Sequence, residues 1–267
     1  MSAGLITKVY EPIGRCIFCS TEYSNGKLAK EHIFPLGLSG HLLFRHATCK
    51  PCEIKLDKFE NFVLHRTFGI VRVRIGTASR NKKERPTLFT CKLLNQFGTL
   101  SEVSLPIEEF PTFSMCVPAR GPEIFVGNPN ADELTVIQAA SRTFNTPKYA
   151  GMELVSEWRA GALELMLAKI AHSYAVAVEA IPADFERLLP AIILGENHNI
   201  WSYIGLSDVS ASGFKGDPIC DGHFNQIRLE HKSVGSDDFL CAFIQIFAPL
   251  GMPVFEVAVA RRAPATY

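Results

Sequence analysis

The chain has 267 residues, 47% hydrophobic and 20% charged, an ordinary globular composition with ample length for a buried core. No apolar run is long enough to span a bilayer, and residues 1–12 lack the basic-then-apolar pattern of a secretory signal, so a cytoplasmic protein is expected. Formal net charge is zero, but residues 1–90 carry 15 Lys and Arg against 7 Asp and Glu, while the rest carry 12 against 20. A basic N-terminal region fits a polyanionic partner, with nucleic acid first, beside the plainer reading of a solvated charged face.

The first informative segment is Cys16-Ile17-Phe18-Cys19. A second Cys-x-x-Cys, Cys49 to Cys52, follows after 29 residues. In a reducing cytosol two such pairs indicate metal binding rather than disulfides, and four thiolates suit a closed tetrahedral Zn2+ site. Between them, residues 30–34 alternate as a strand, with Glu31-His32 inside. Residues 37–40 are a turn, and 42–48 a returning strand or loop. Residues 53–64 place Ile54, Leu56, Phe59, Phe62 and Val63 near helical spacing. Strand, turn, strand, helix is a ββα unit.

Next, Val71 and Val73 alternate with Arg72 and Arg74, which predicts a strand with one basic face. Arg80, Lys82, Lys83 and Arg85 follow in a basic loop, and all six cations are candidates for gripping a phosphate backbone. Residues 87–106 read as a hairpin turning at Gln96-Phe97-Gly98, and 108–129 as irregular or short extended structure. Helices are predicted over 132–143, over 153–180 as the strongest of the chain, and over 182–194. Strands of an antiparallel sheet are predicted over 200–206, 224–231, 239–247 and 254–260. The segment 213–222, with Asp217 and Asp221, reads as a loop. Cys91, Cys116, Cys220 and Cys241 sit among apolar residues as core thiols. His65, His172, His198, His223 and His231 read as surface or satisfied core histidines.

Cys-x-x-Cys, then Glu-His-Ile-x-Pro, a Gly-containing loop, and a second Cys-x-x-Cys with a polar residue after it resemble the zinc-stapled HNH endonucleases of the ββα-metal fold. The resemblance covers residues 14–64. It implies a zinc-bound HNH-like module at 1–65; the residue pattern of the remainder adds a basic strand and hairpin region at 66–130 and a larger α+β domain at 131–267 with a long helix and antiparallel sheet, an α+β chain in all. The resemblance implies a metal-dependent endonuclease acting on nucleic acid, DNA first. His32 would be the general base, while Glu31, Glu53 and Asp57 would hold a catalytic Mg2+ or Mn2+. The i, i+4 spacing of Glu53 and Asp57 puts both on one helix face, with Glu60 near it. Adjacent residues of a strand face opposite ways, so Glu31 and His32 converge only at a strand end or bend. The chain departs from the family in two places. Glu53 stands where Asn or His is usual, and no Asn lies between His32 and Cys52, where His41 and His46 are the substitutes. The alternative is therefore a catalytically degenerate zinc-stapled module that binds nucleic acid or protein. The acidic C-terminal domain would then serve a protein partner or homo-oligomerisation.

Overall fold

The structure is a computed structural model, and it describes residues 8–23, 28–77, 86–110, 114–127, 136–140, 149, 153–155, 159–218 and 224–264. In chain order the N-terminal elements are β1 (Lys8–Tyr10), β2 (Ala29–His32), β3 (Leu42–Thr48) and α1 (Lys50–Phe62). The predicted ββα unit is present, with β3 realised as a strand antiparallel to β2. A strand absent from the sequence reading, β1, lies parallel to β3 on its other side. Strands β2 and β3 are joined by residues 33–41, which hold one 3-10 turn at Leu36–Leu38 and in which a Cβ on Gly40 would lie 2.1 Å from the Phe34 carbonyl oxygen, so only glycine fits there. Helix α1 starts at Cys49 with Pro51 in its first turn, where a missing N–H costs nothing. It ends in one π turn, Val63–Thr67, and α2 (Gly69–Arg74) follows.

That second helix replaces the predicted basic strand at Val71 and Val73. Phe68 and Val71, three residues apart, are both buried in the core, and this spacing selects a helical turn over alternation. The hairpin forms as predicted, β4 (Leu88–Leu94) and β5 (Leu100–Pro106), with the Asn95 side chain accepting from the backbone N–H groups of Phe97 and Thr99. Two short elements, β6 (Ser114–Pro118) and α3 (Glu123–Val126), lie within the segment expected to be irregular or short extended structure.

The helix predicted over 132–143 is corrected. Residues Val136–Ala140 form β7, which pairs with β6 and places Ile137 opposite Val117. The long helix is shorter than predicted. Glu153–Val155 form β8 on the edge of β4, and α4 spans Ala162–Ala177. Gly161, at φ 79°, puts a left-handed residue before the helix and blocks its extension backwards. The helix expected over 182–194 is also corrected, to β9 (Phe185–Arg187) and the single turn α5 (Pro190–Ile193). The remaining strands are β10 (Ile204–Leu206), β11 (Asp217–Pro218), β12 (Asn225–Val234), β13 (Asp237–Ile246) and β14 (Val254–Arg262).

These strands make one six-stranded sheet in the order β10-β14-β13-β12-β11, with β9 also paired to β14. Strand β13 is buried on both faces. Leu240, Ala242, Ile244 and Ile246 join the main core, and Phe239, Cys241 and Phe243 join a second cluster around Phe214 and Val254. Burial on both faces is why it reads as an unbroken apolar run. Helix α4 is apolar almost all round and sits between the sheet and α1, as a core helix does. One hydrophobic cluster runs from Cys16 and Phe34 through α1 and α4 to β14. The core is thus continuous across residue 65, and the N-terminal module shares it with the C-terminal region. Among the described residues no helix is long and apolar enough to cross a membrane.

Candidate metal centre and the Glu-His segment

Cys16 and Cys19 lie in a narrow loop. The Cys16 N–H donates to the Thr21 carbonyl at 3.0 Å, and the Ser20 N–H donates back to the Cys16 carbonyl at 2.9 Å. Ser20 turns the chain at φ 58°. Ile17 ties this loop to β3 by donating to the Ala47 carbonyl at 2.9 Å. Cys49 is the residue that caps α1, and Cys52 sits in its first turn, where the positive end of the helix dipole favours thiolate. The Cys49 N–H points at the Cys16 sulfur, 3.5 Å away.

The four Sγ atoms all lie within 4.8 Å of one another. Zinc–thiolate bonds of about 2.3 Å in a tetrahedron place sulfurs roughly 3.8 Å apart. Cys19 and Cys49 sulfurs are 3.7 Å apart. Burial first, and then the neighbouring sulfurs of Cys49 and Cys16, push the Cys52 thiol far above its ordinary range. Four thiolates held this close require a cation to coexist. The cluster can therefore hold a metal ion such as zinc, and Cys16, Cys19, Cys49 and Cys52 are its donors. Among the described residues it is the one group of three or more Cys, His, Asp or Glu side chains placed to bind a metal.

Glu31, Glu53 and Asp57 are not brought together as a metal-binding set, which corrects that expectation. Glu31 lies opposite Phe44 on β3 and His32 opposite Leu43, so the pair leaves the strand on opposite faces. Glu31 turns inward and is 8% exposed. One of its oxygens accepts from the Thr48 hydroxyl at 2.8 Å, and the other pairs with the Lys169 ammonium. Glu53 is on the surface of α1, paired with Lys50 at 2.8 Å. Asp57 is exposed one turn later. Glu60 instead turns toward Lys169, 3.0 Å away. His32 is half-buried at the end of β2, while its carbonyl accepts from Lys169. His46 bonds through its ring Nδ1 to the Leu28 carbonyl at 3.1 Å, a structural contact between the strands.

Two of the six predicted phosphate-gripping cations are spent inside the fold. Arg72 donates through Nε to the Gly37 carbonyl and through Nη1 to the Leu64 carbonyl, both at 2.7 Å. Arg74 donates to the Ile107 and Phe110 carbonyls at 2.5 and 2.9 Å. Arg80, Lys82, Lys83 and Arg85 lie outside the described residues. Arg72→Ala is expected to cost about 3–6 kcal/mol, since hydrogen bonds from a charged donor contribute about 1.5–3 kcal/mol each and two are lost. Urea unfolding reads that loss. The salt slope of any nucleic-acid binding should stay unchanged, because Nε and Nη1 of Arg72 are turned to carbonyls inside the fold.

The module is fastened to the C-terminal region by polar contacts as well as by the shared core. His172 of α4 donates from Nε2 to the Ile17 carbonyl at 2.8 Å, inside the first Cys-x-x-Cys, and its ring lies 5.7 Å from that of Phe18. The Asn225 amide donates to the Leu38 carbonyl at 2.5 Å, and Lys55 of α1 donates to the Leu194 carbonyl at 3.0 Å. Lys169 is the residue that sequence reasoning missed. Its signal is a lone lysine inside the otherwise apolar run of α4, a position that demands a buried anionic partner. No protein-family model, curated protein or solved structure matches this chain.

Proposed function

We propose that this chain acts on nucleic acid, DNA first, as an HNH-type endonuclease whose ββα module is held by a structural Zn2+ on Cys16, Cys19, Cys49 and Cys52. The observation that carries the reading is the assembly of residues 16–62: two Cys-x-x-Cys loops close on a two-stranded hairpin and a helix, with Glu31-His32 at the end of the first strand. His32 is the general base that activates water. Mg2+ is commonly held by one or two carboxylates together with substrate phosphate, rather than by a cage of protein ligands. Asp57 and Glu53 on the outer face of α1 are the groups in this chain that suit that mode of recruitment for Mg2+ or Mn2+. Exposed Lys30, Arg45 and Lys58 and the basic residues Arg80, Lys82, Lys83 and Arg85 supply phosphate contacts, and the acidic remainder serves a protein partner or a second copy.

A second reading is favoured by the engagement of both Glu31 oxygens with Thr48 and Lys169. In it, the module binds nucleic acid without cutting it. Incubating supercoiled plasmid with zinc-loaded protein and Mg2+ or Mn2+ separates the two. The nuclease reading expects nicking or linearisation, with at least about a hundredfold loss in His32→Ala, the scale of general-base catalysis. No cutting with any divalent cation, alongside binding that weakens steeply with salt, selects the second reading. No binding even at low salt defeats both.

A further inference from the structure

Lys169 lies midway along α4, and its side chain is 1% exposed. A buried ammonium without counter-charge would cost far more than a fold can supply. Here it is ringed by oxygen. The Nζ pairs with a Glu31 oxygen and with Glu60 Oε1 at 3.0 Å, donates to the His32 carbonyl, and lies 3.3 Å from the Ile33 carbonyl. The Thr48 hydroxyl holds the remaining Glu31 oxygen at 2.8 Å. Two carboxylates and two main-chain carbonyls converging on one point are the donor types of a hard divalent cation.

We propose that Glu31, Glu60 and the carbonyls of His32 and Ile33 form a built-in cation site that the Lys169 ammonium fills, and that truncating Lys169 opens this site to a divalent cation such as Mn2+ or Ca2+. The donors come from the end of β2 and from α1, and the cation comes from α4. The oxygens are therefore arranged before any ion arrives, and the native chain satisfies them internally. Two carboxyl groups face a single ammonium, so both are in place to balance a divalent ion that takes its position. The inference stands apart from the proposed nuclease activity, since neither nucleic acid nor cleavage enters it.

The test uses the zinc-loaded full chain, wild type and Lys169→Ala, with Mn2+ or Ca2+ as the probe. Thermal unfolding of the wild type should not respond to millimolar Mn2+ or Ca2+. Lys169→Ala should unfold several degrees lower in zinc-only buffer and recover most of that loss as either ion is added. Electron paramagnetic resonance should count one more bound Mn2+ per chain in Lys169→Ala than in wild type. Adding Glu60→Gln to Lys169→Ala should abolish both responses, which assigns the ion to this site and not to the exposed Glu53 and Asp57. Should Lys169→Ala fail to fold in zinc-only buffer, it is refolded with Mn2+ present, and recovery of the native circular dichroism supports the proposal. An equal Mn2+ response in wild type and variant, a folded variant that binds no Mn2+, or an unfolded variant that Mn2+ does not rescue would overturn it.

Discussion

Cys49→Ser, or stripping the metal with a strong chelator, should unfold the chain as a whole rather than loosen its first fifty residues. Structural zinc sites contribute on the order of 10 kcal/mol of apparent folding free energy, which rivals the whole stability of an ordinary domain at about 5–15 kcal/mol. Cys49 carries more than its share. It begins α1, its N–H points at the Cys16 sulfur, and its sulfur lies 3.7 Å from that of Cys19. Loss of the metal would release the Cys16–Cys19 loop, to which α4 is fastened through His172, and expose a core that is continuous from Cys16 to β14. Tryptophan fluorescence reports on Trp158 and Trp201, both far along the chain, while cobalt substitution reports on the thiolates through their charge-transfer absorption. The two signals should be lost together on chelation. A C-terminal region that keeps its fluorescence and melting transition after the cobalt signal has gone would show that the shared core does not couple the two regions.

The second large effect is a pair of opposed pH dependences hidden in α4. Glu164 is 1% exposed with one oxygen buried and unpartnered, and burial pushes its carboxyl up to about 7. Its place in the first turn of α4 would favour the charged form, but desolvation is the larger influence. His172 is fully buried, and burial drives its imidazole down to about 4, against the smaller upward pull of its bond to Ile17. A carbonyl only accepts, so Nε2 of His172 carries the proton, and its buried Nδ1 has no hydrogen-bond partner.

The signs oppose. The raised carboxyl contributes stability that is present below pH 4.5 and is lost as pH rises to about 7. The depressed imidazole contributes stability that is present above pH 6.5 and is lost as pH falls to about 4. At about 1.4 kcal/mol per pH unit, each swing is on the order of 3 kcal/mol, and they cancel across their overlap. Wild type should therefore show little net slope from these two groups between pH 4.5 and 6.5. Glu164→Gln should exceed wild-type stability by about 3 kcal/mol above pH 7 and gain stability with rising pH below it. His172→Gln keeps a donor for Ile17 and should lose stability as pH rises over the same range. Urea midpoints at pH 4.5, 6 and 7.5 decide the matter, and parallel profiles for all three proteins would refute it.

What could be read along the chain depended on how local the cause was. Cys16, Cys19, Cys49 and Cys52 were legible because the spacing of a Cys-x-x-Cys is itself the chelating geometry. The hairpin at β4 and β5 was legible because Asn95 to Gly98 builds its own turn. The strands β12, β13 and β14 were legible from apolar runs between breaks. Val136–Ala140 and Phe185–Arg187 were misread as helix, because a partner strand remote in sequence decides them. Arg72 and Arg74 looked like surface cations because nothing nearby in sequence reveals that the carbonyls of Gly37, Leu64, Ile107 and Phe110 await them.

By itself the sequence determined that four thiols able to hold a metal ion would sit around a strand–turn–strand–helix unit, since thiol spacing and apolar period act over a few residues. Only the tertiary structure decided the fate of Glu31. Its partner, Lys169, lies 138 positions later on a buried helix, and two charges so far apart along the chain meet only once the core between them has formed.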